Sequence, residues 1–249
     1  MCLLALFFRV VEDASVIVGA NREEFYARGG EPPQVLDGTI RAVGGRDPVS
    51  GGTWLGVNAN GIVVAVTNRL KSETPAKPRS RGLLVRDLLG CLAVKEATEL
   101  AAQELGREDY AGCNILVADA ESANVLHAGD WLRVRPLPPG LHVLTAQDVN
   151  DASDRRLGHA LWWLSERRYG TAEHCMAALK ELCGQTGNGD PPICFRKKDR
   201  GTVSSSVIAL RQPLERGTYL HAQGPPDRTP YQDYSDLLRQ IAPVPRSGV

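Results

Sequence analysis

The N-terminal segment constrains the fold more than any other part of the chain. It holds two apolar runs, Cys2–Val11 and Ala14–Ala20, joined by a single Glu-Asp pair. Runs of this length and composition suit buried strands, and so short a polar connection predicts a hairpin. The second run leads directly into Asn21–Glu24, four polar residues at the end of an apolar strand. Because a hairpin returns the chain to its start, we expect Asn21–Glu24 to lie beside Cys2 at the edge of a site.

The rest of the chain alternates blocks of strands with pairs of helices. Further strands are predicted at Thr53–Val57, Ile62–Thr67, Asn114–Ala118, Ala123–His127, Trp131–Val134, Leu141–Thr145, Thr202–Leu210 and Thr218–Ala222. Helices are predicted after Ser80, with Leu83, Leu84, Leu88 and Leu92 on one face, and at Glu96–Leu105, Ser153–Tyr169 and Ala172–Leu182. Residues 29–38 and 44–52 are rich in Gly and Pro and are predicted to be loops. This order favours an α+β fold with antiparallel sheets over a repeating βαβ sheet.

We predict one domain over residues 1–223 and a Pro-rich tail over residues 224–249. The tail has at most one short helix, Tyr234–Ile241, and a loose end.

The balance of charge and the spacing of the cysteines limit which partners, metals and cellular location we expect for this chain. The 29 Lys and Arg residues balance 29 Asp and Glu residues, so nothing indicates nucleic-acid binding. No apolar run approaches the ~18 residues of a membrane span, and no signal peptide is evident. The six cysteines show no zinc spacing. We therefore expect reduced thiols and a cytoplasmic location. Four cysteines are expected in the core, namely Cys91, Cys113, Cys175 and Cys183, and Cys194 is expected on an exposed loop.

A series of short motifs runs along the chain. They are Met1-Cys2-Leu3, Asn21-Arg22-Glu23-Glu24, Gly45-Arg46-Asp47, Gly51–Val57, Thr67-Asn68-Arg69, Ser80-Arg81-Gly82, Asn114–Val117, Pro139-Gly140-Leu141 and Gly201-Thr202. In this order the motifs resemble the NRDE family, also called the transport-and-Golgi-organisation family. The resemblance implies a fold similar to the N-terminal-nucleophile hydrolases, a four-layer αββα sandwich with two antiparallel sheets. The chain is more distantly similar to choloylglycine hydrolases and penicillin V acylases, which lose the initiator Met and use the exposed Cys as nucleophile.

Cys2 is the central candidate that this resemblance implies. Once Met1 is removed, the α-amine of Cys2 has a reference pKa of about 7.7–8.0 and its thiol one of about 8.5. The amine can then accept the thiol proton, which places nucleophile and base in one residue. The alternative is a strand cysteine that acts as a small hydrophobe.

Arg22, Glu23 and Asn68 complete the predicted catalytic set. A guanidinium beside Cys2 would favour the thiolate, so we expect an acidic thiol, and the Glu23 carboxylate could orient the α-ammonium or Arg22. The alternative is that both residues belong to a structural ion-pair network. In the distant hydrolases an Asn at the position of Asn68 helps to form the oxyanion hole. The alternative is a loop Asn that binds local backbone.

Six further residues are candidates for substrate binding: Asn21, Arg46, Asp47, Trp54, Arg69 and Gln147. Arg46 and Asp47 could clamp a carboxylate-bearing ligand, or could simply pair with each other within their loop. The chain departs from the family at two places. Glu23 replaces the Asp of the namesake motif, and Ala146-Gln147 follows Thr145 where the family usually has Asn.

Two functions remain open at this point. The first is an N-terminal cysteine hydrolase that cleaves an amide or related acyl bond of a small molecule and needs no cofactor. The second is a non-enzymatic heme-binding or heme-trafficking protein on the same fold, because a Cys thiolate is an accepted axial ligand of heme iron. The missing Asn after Thr145 favours the second, and the set of Cys2, Arg22 and Asn68 favours the first. The oligomeric state stays open.

Overall fold

A computed structural model describes residues 2–107 and 109–243 of the chain. In chain order the elements are β1 (Leu3–Val11), β2 (Ala14–Phe25), β3 (Glu31–Leu36), β4 (Ala42–Arg46), β5 (Leu55–Asn58), β6 (Val63–Asn68), α1 (Arg81–Leu88), α2 (Val94–Gly106), β7 (Cys113–Ala118), β8 (Ala123–Ala128), β9 (Leu132–Pro136), β10 (Gly140–Leu144), α3 (Arg155–Ser165), α4 (Ala172–Cys183), β11 (Arg200–Leu210), β12 (Thr218–Ala222), β13 (Gln232–Asp233) and α5 (Ser235–Ile241). Single turns of 3₁₀ helix follow β2 and β11.

The strands form two antiparallel sheets. Within the described residues, sheet A has the strand order β10-β1-β2-β11-β12-β13 and sheet B the order β3-β4-β5-β6-β7-β8-β9. The predicted N-terminal hairpin is confirmed, because β1 and β2 pair with Leu3 opposite Asn21 and Ala5 opposite Gly19. It lies in the interior of sheet A, between β10 and β11.

The hydrophobic side chains divide into three layers. Successive residues of a strand point to opposite faces, so Leu4, Leu6 and Phe8 of β1 pack between the two sheets. Leu3, Ala5 and Phe7 of the same strand pack against α3 and α4. A third cluster joins the outer face of sheet B to α1 and α2. The chain is therefore a four-layer αββα sandwich, and the predicted fold class is confirmed.

Three strands were missed by the sequence analysis, namely β3, β4 and the two-residue β13. β3 contains Pro32 and Pro33, and it is tolerated as a strand because it lies at the edge of sheet B, where a missing N–H costs no ladder bond. β4 contains Gly44 and Gly45, and a Cβ on Gly45 would lie 2.4 Å from the Trp54 ring. These glycines therefore serve close packing rather than a turn.

Two predicted helices have different bounds in the structure. Leu84 and Leu88 are buried as expected, but α1 ends at Leu88, and Leu92 lies beyond it with 72% of its surface exposed. α3 ends at Ser165, four residues before the predicted end at Tyr169. Tyr169 instead packs edge-on against Phe7, with ring centroids 4.6 Å apart.

The described part of the predicted tail packs on the domain. β13 pairs with β12, and Leu238 and Ile241 of α5 are buried in the layer between the sheets. The expected loose end falls at residues 244–249, outside the described residues. Of the helices that the structure describes, none is long and apolar enough to cross a membrane.

The cysteines expected in the core are buried, and the prediction for Cys194 is wrong. Cys194 is only 1% exposed. Its backbone N–H donates to the Gln185 carbonyl, and its thiol donates to Asp227 Oδ1 at 3.3 Å. The loop that carries Cys194 is thus held down by contacts that are distant in sequence.

Candidate active site

A cavity of about 360 Å³ opens where the start of β1 and the end of β2 approach the end of β6 and the start of α1. Six of the ten candidate residues line it: Cys2, Arg22, Glu23, Asp47, Trp54 and Asn68. The other four, Asn21, Arg46, Arg69 and Gln147, lie elsewhere. The convergence of Cys2, Arg22 and Glu23 follows from the hairpin, whereas that of Asn68 needs the two sheets to stack.

Cys2 is half-buried beside the end of β2, where the β1–β2 register brings it next to Arg22 and Glu23. Burial raises the pKa of its thiol, and the negative charge of Glu23 raises it further. The backbone N–H of Glu23 and the Arg22 guanidinium both act in the opposite direction but do not compensate. Desolvation and a nearby carboxylate outweigh the arginine, which argues against the expected acidic thiol.

Arg22 is held rigidly although it is charged. Only 6% of its surface is exposed, and its Nη1 donates to the Gly29 carbonyl at 2.5 Å. The guanidinium carbon lies 4.3 Å from the centroid of the Trp54 ring, a cation–π contact. Its nearest carboxylate oxygen is Glu24 Oε2, at 3.9 Å. Trp54 therefore takes part in the site as a support for Arg22.

Glu23 has a partner that the sequence analysis missed. Its side chain is 1% exposed and forms an ion pair with Arg156 in the first turn of α3. Arg156 also donates from Nη2 to the Ile193 carbonyl at 2.6 Å, and its guanidinium lies 5.6 Å from the Phe195 ring centroid. No local signal marks Arg156, because the pair joins residues 133 positions apart.

Asp47 anchors a second group of charges on the cavity wall. It accepts hydrogen bonds from Arg28 Nη2 at 2.7 Å, Ser50 Oγ at 2.6 Å and the backbone N–H of Val49 at 3.0 Å. Burial opposes ionisation of Asp47, but these hydrogen bonds prevail and lower its pKa. Arg28 also lies 3.6 Å from Glu24, which accepts from the backbone N–H of Phe25.

The predicted pairing of Arg46 with Asp47 is wrong, as is a clamp formed by the two. The Arg46 side chain is half exposed, and its Nη1 lies 4.0 Å from Glu31 Oε2, outside the cavity. Arg46 is the last residue of β4 and its side chain lies outside the cavity, whereas Asp47, the next residue, lines the cavity.

Asn68 faces the cavity from the end of β6. Its side chain makes no hydrogen bond to any residue that the structure describes, which leaves its amide available to a ligand. Ser80, Arg81 and Gly82 line the cavity beside it, at the start of α1.

The remaining candidates have structural contacts. Asn21 Nδ2 donates to the carbonyls of Cys183 and Ile193, at 2.9 and 3.1 Å, and so ties β2 to the end of α4. Arg69 pairs with Asp148 at 2.8 Å. The Gln147 side chain is exposed, and the Gln147 backbone carbonyl accepts a hydrogen bond from Asn114 Nδ2 at 3.1 Å. Gln147 therefore does not supply the amide that the family usually has after Thr145.

Two sheets between helical layers, with a cysteine at the start of the first strand and an arginine and an asparagine around its cavity, define a protein of the N-terminal-nucleophile-hydrolase fold. The chain matches the family described as Transport and Golgi organisation 2 over residues 1–210, and it belongs to this family. It is 32% identical to the human Transport and Golgi organization protein 2 homolog over 111 residues, which are 43% of this chain and 40% of that protein. Its mouse counterpart is 31% identical over 138 residues, 52% of this chain and 50% of that protein. The match thus spans half or less of the length of these relatives.

Several solved structures are similar to the chain in fold. The Caenorhabditis elegans N-acylethanolamine-hydrolyzing acid amidase ortholog has a TM-score of 0.58 and 19% identity, and the match covers 83% of this chain and 92% of that one. Penicillin V acylase from Agrobacterium tumefaciens has a TM-score of 0.53 and 12% identity, and the match covers 96% of this chain and 88% of that one. The C2A mutant of conjugated bile acid hydrolase from Clostridium perfringens has a TM-score of 0.52 and 12% identity, and the match covers 95% of this chain and 93% of that one. At such identities the likeness concerns the fold alone.

Proposed function

We propose that the protein is an N-terminal cysteine amidohydrolase that cleaves an amide or related acyl bond of a small molecule. The observation that carries the proposal is the Cys2 thiol on the wall of a cavity that Arg22, Glu23 and Asn68 also line. The fold shared with an acid amidase ortholog, an acylase and a bile acid hydrolase supports it. A cytoplasmic location is part of the proposal and is supported by six cysteines that are all free thiols.

The proposed reaction begins after removal of Met1, which lies outside the described residues. The thiol sulfur of Cys2 attacks the carbonyl carbon of the substrate, and the Cys2 α-amine takes the thiol proton. That proton then passes to the leaving nitrogen as the C–N bond breaks, which leaves a thioester. Water attacks the thioester, the carboxylic acid leaves and the thiol is restored. Burial and Glu23 both raise the pKa of the Cys2 thiol, so a base that takes the thiol proton assists the attack.

The surrounding groups have distinct roles in this proposal. The Asn68 amide donates a hydrogen bond to the developing oxyanion, because no described residue already occupies it. Arg22 keeps a positive charge near Cys2, and the negative charge of Glu23, which Arg156 holds in place, would stabilise the α-ammonium that forms when the amine takes the proton. The buried ion pair between Glu23 and Arg156 holds the Glu23 carboxylate in one position.

The test compares hydrolysis of a panel of small N-acyl anilides by four proteins. Wild type with Met1 removed, verified by intact mass, is expected to release the aniline. Cys2→Ala and a form that retains Met1 are expected to be inactive. Cys91→Ala is the matched control, since Cys91 is a buried cysteine outside the cavity. Full activity of Cys2→Ala, or of protein that retains Met1, would sink the mechanism.

Heme binding is the second candidate, and the lack of an amide side chain at position 146 is the observation that favours it. Cys2 is the only Cys or His among the residues that line the cavity. Its raised pKa disfavours the thiolate that iron ligation needs, so the donor set does not fit the group well. A Soret shift on mixing with heme that Cys2→Ala abolishes would favour this function over hydrolysis.

A further inference from the structure

The arginines around the cavity are not all neutralised. Four arginines and three carboxylates line it. Arg79 is paired with Asp87 at 2.6 Å and Glu104 at 3.1 Å, both outside the cavity. Arg28 is paired with Asp47. These two guanidinium groups are therefore already satisfied by the protein.

Arg81 differs from both. Its Nη1 donates to the Gly112 carbonyl at 2.9 Å, and it forms no ion pair with any residue of the described ranges. Among the described residues, the only carboxylate that pairs with Arg22 is the distant Glu24, which Arg28 shares. The third carboxylate, Glu23, pairs with Arg156, which lies outside the cavity. The described part of the cavity thus keeps an excess of positive charge, and Arg81 is its least compensated arginine.

Neutral donors lie beside Arg81. The first N–H groups of a helix have no partner within the helix, and here the Ser80 side chain makes no capping bond to them. The Ser80 hydroxyl donates instead to Ser50 Oγ at 3.1 Å. The positive end of the α1 dipole therefore meets the cavity at the same place as the Arg81 side chain.

We infer that the cavity takes amides that carry a carboxylate, and that Arg81 with the first turn of α1 binds this carboxylate. The inference rests on the proposed function only in treating the cavity as the substrate site. In this arrangement the substrate carboxylate lies at the start of α1 and the reactive thiol at the start of β1, so the substrate spans the cavity between them. A planar guanidinium suits a carboxylate because it can donate two parallel hydrogen bonds.

The test measures binding without turnover, in the full chain with Cys2→Ala. The probes are N-benzoylglycine and its neutral amide, N-benzoylglycinamide, titrated by ligand-detected NMR at low ionic strength. We expect the carboxylate to bind about tenfold more tightly, which corresponds to about 1.4 kcal/mol. Arg81→Gln should remove the preference while keeping affinity for the neutral probe, which shows that the cavity is still folded. Arg81→Lys should keep a reduced preference, and salt should weaken it.

Arg41→Gln is the matched control, because Arg41 is an exposed arginine just before β4 and does not line the cavity. The preference of this variant for the carboxylate probe over the neutral probe should equal that of the Cys2→Ala protein. Equal affinity of the two probes, absence of binding by both, or a preference that survives Arg81→Gln would each overturn the inference. If wild type hydrolyses amides without regard to charge, the proposed function stands and this inference fails. If the carboxylate probe binds more tightly but no amide is cleaved, this inference stands and the proposed function fails.

Discussion

The cavity has two unlike walls. The β2 wall, formed by Cys2, Arg22 and Glu23, is mostly buried, and its charges are fixed by hydrogen bonds, an ion pair and the Trp54 ring. The α1 wall, formed by Asn68, Ser80 and Arg81, is half-buried, and its donors are aimed at the cavity with few protein partners. Under the proposed function the two walls would have different roles, because a reactive group needs fixed geometry whereas a recognition surface needs unsatisfied donors.

The largest expected effect tests whether the β2 wall is held by its buried ion pair. Arg156→Met removes an ion-pair partner of the buried Glu23 carboxylate, and should lower the free energy of unfolding by about 3–5 kcal/mol. The double variant Glu23→Gln with Arg156→Met should recover most of the loss, since both charges of the ion pair are then removed. Arg81→Met on the α1 wall should cost less than about 1 kcal/mol. Urea unfolding measures all three, and an equal loss from Arg81→Met would erase the contrast between the walls.

The second prediction tests the α1 wall during catalysis and depends on the proposed hydrolase. Asn68→Ala should lower kcat by about 10²–10³ with little change in KM, as removal of an oxyanion donor does. Stability should hardly change, because the Asn68 side chain has no hydrogen bond to the described residues. Asn60→Ala, on the exposed turn before β6, is the control. A drop in stability with unchanged kcat would reassign Asn68 to a structural role.

The third prediction concerns the reactivity of Cys2. Only the thiolate reacts with iodoacetamide, and the pKa of Cys2 is raised, so labelling should be slow at neutral pH and increase as the pH passes above the reference thiol pKa of about 8.5. Glu23→Gln removes a negative charge that raises the pKa, so its labelling curve should move to lower pH. Arg22→Gln removes a charge that lowers the pKa, so its curve should move to higher pH. Each pKa unit corresponds to about a tenfold rate change at neutral pH.

The control for these curves is Glu24→Gln, because Glu24 lines the same cavity but is not among the largest influences on the Cys2 pKa. Labelling is followed by peptide mapping in protein whose N-terminus has been verified by mass. If the wild-type curve lies below the reference thiol pKa, the electrostatic account of the β2 wall is wrong.

The smallest expected effects come from residues that the structure puts outside both walls. Arg46→Ala and Gln147→Ala should each change stability by less than about 0.5 kcal/mol, since both side chains are exposed. Neither should change kcat/KM by more than about twofold. A larger kinetic effect for either would mean that the walls extend beyond the cavity described above.

The sequence predicted the elements whose determinants are local. The β1–β2 hairpin follows from two apolar runs and a two-residue connection, and it carries with it the approach of Arg22 and Glu23 to Cys2. The four layers follow from the order of strand and helix blocks together with the family motifs. β3 and β4 were missed because Pro and Gly signal a turn locally, whereas their real roles are an edge strand and a close contact with Trp54.

What the sequence by itself determined is therefore the fold and the candidate for the reactive residue, since apolar periodicity and motif order need no knowledge of distant contacts. The tertiary structure alone decided the electrostatics. It paired Glu23 with Arg156, turned Arg46 away from Asp47, buried Cys2 enough to raise its pKa, and left Arg81 without a counter-charge among the described residues. The physical reason is that a charge interacts with whatever lies within a few ångströms and with the water excluded around it, and neither is written in the neighbouring residues of the chain.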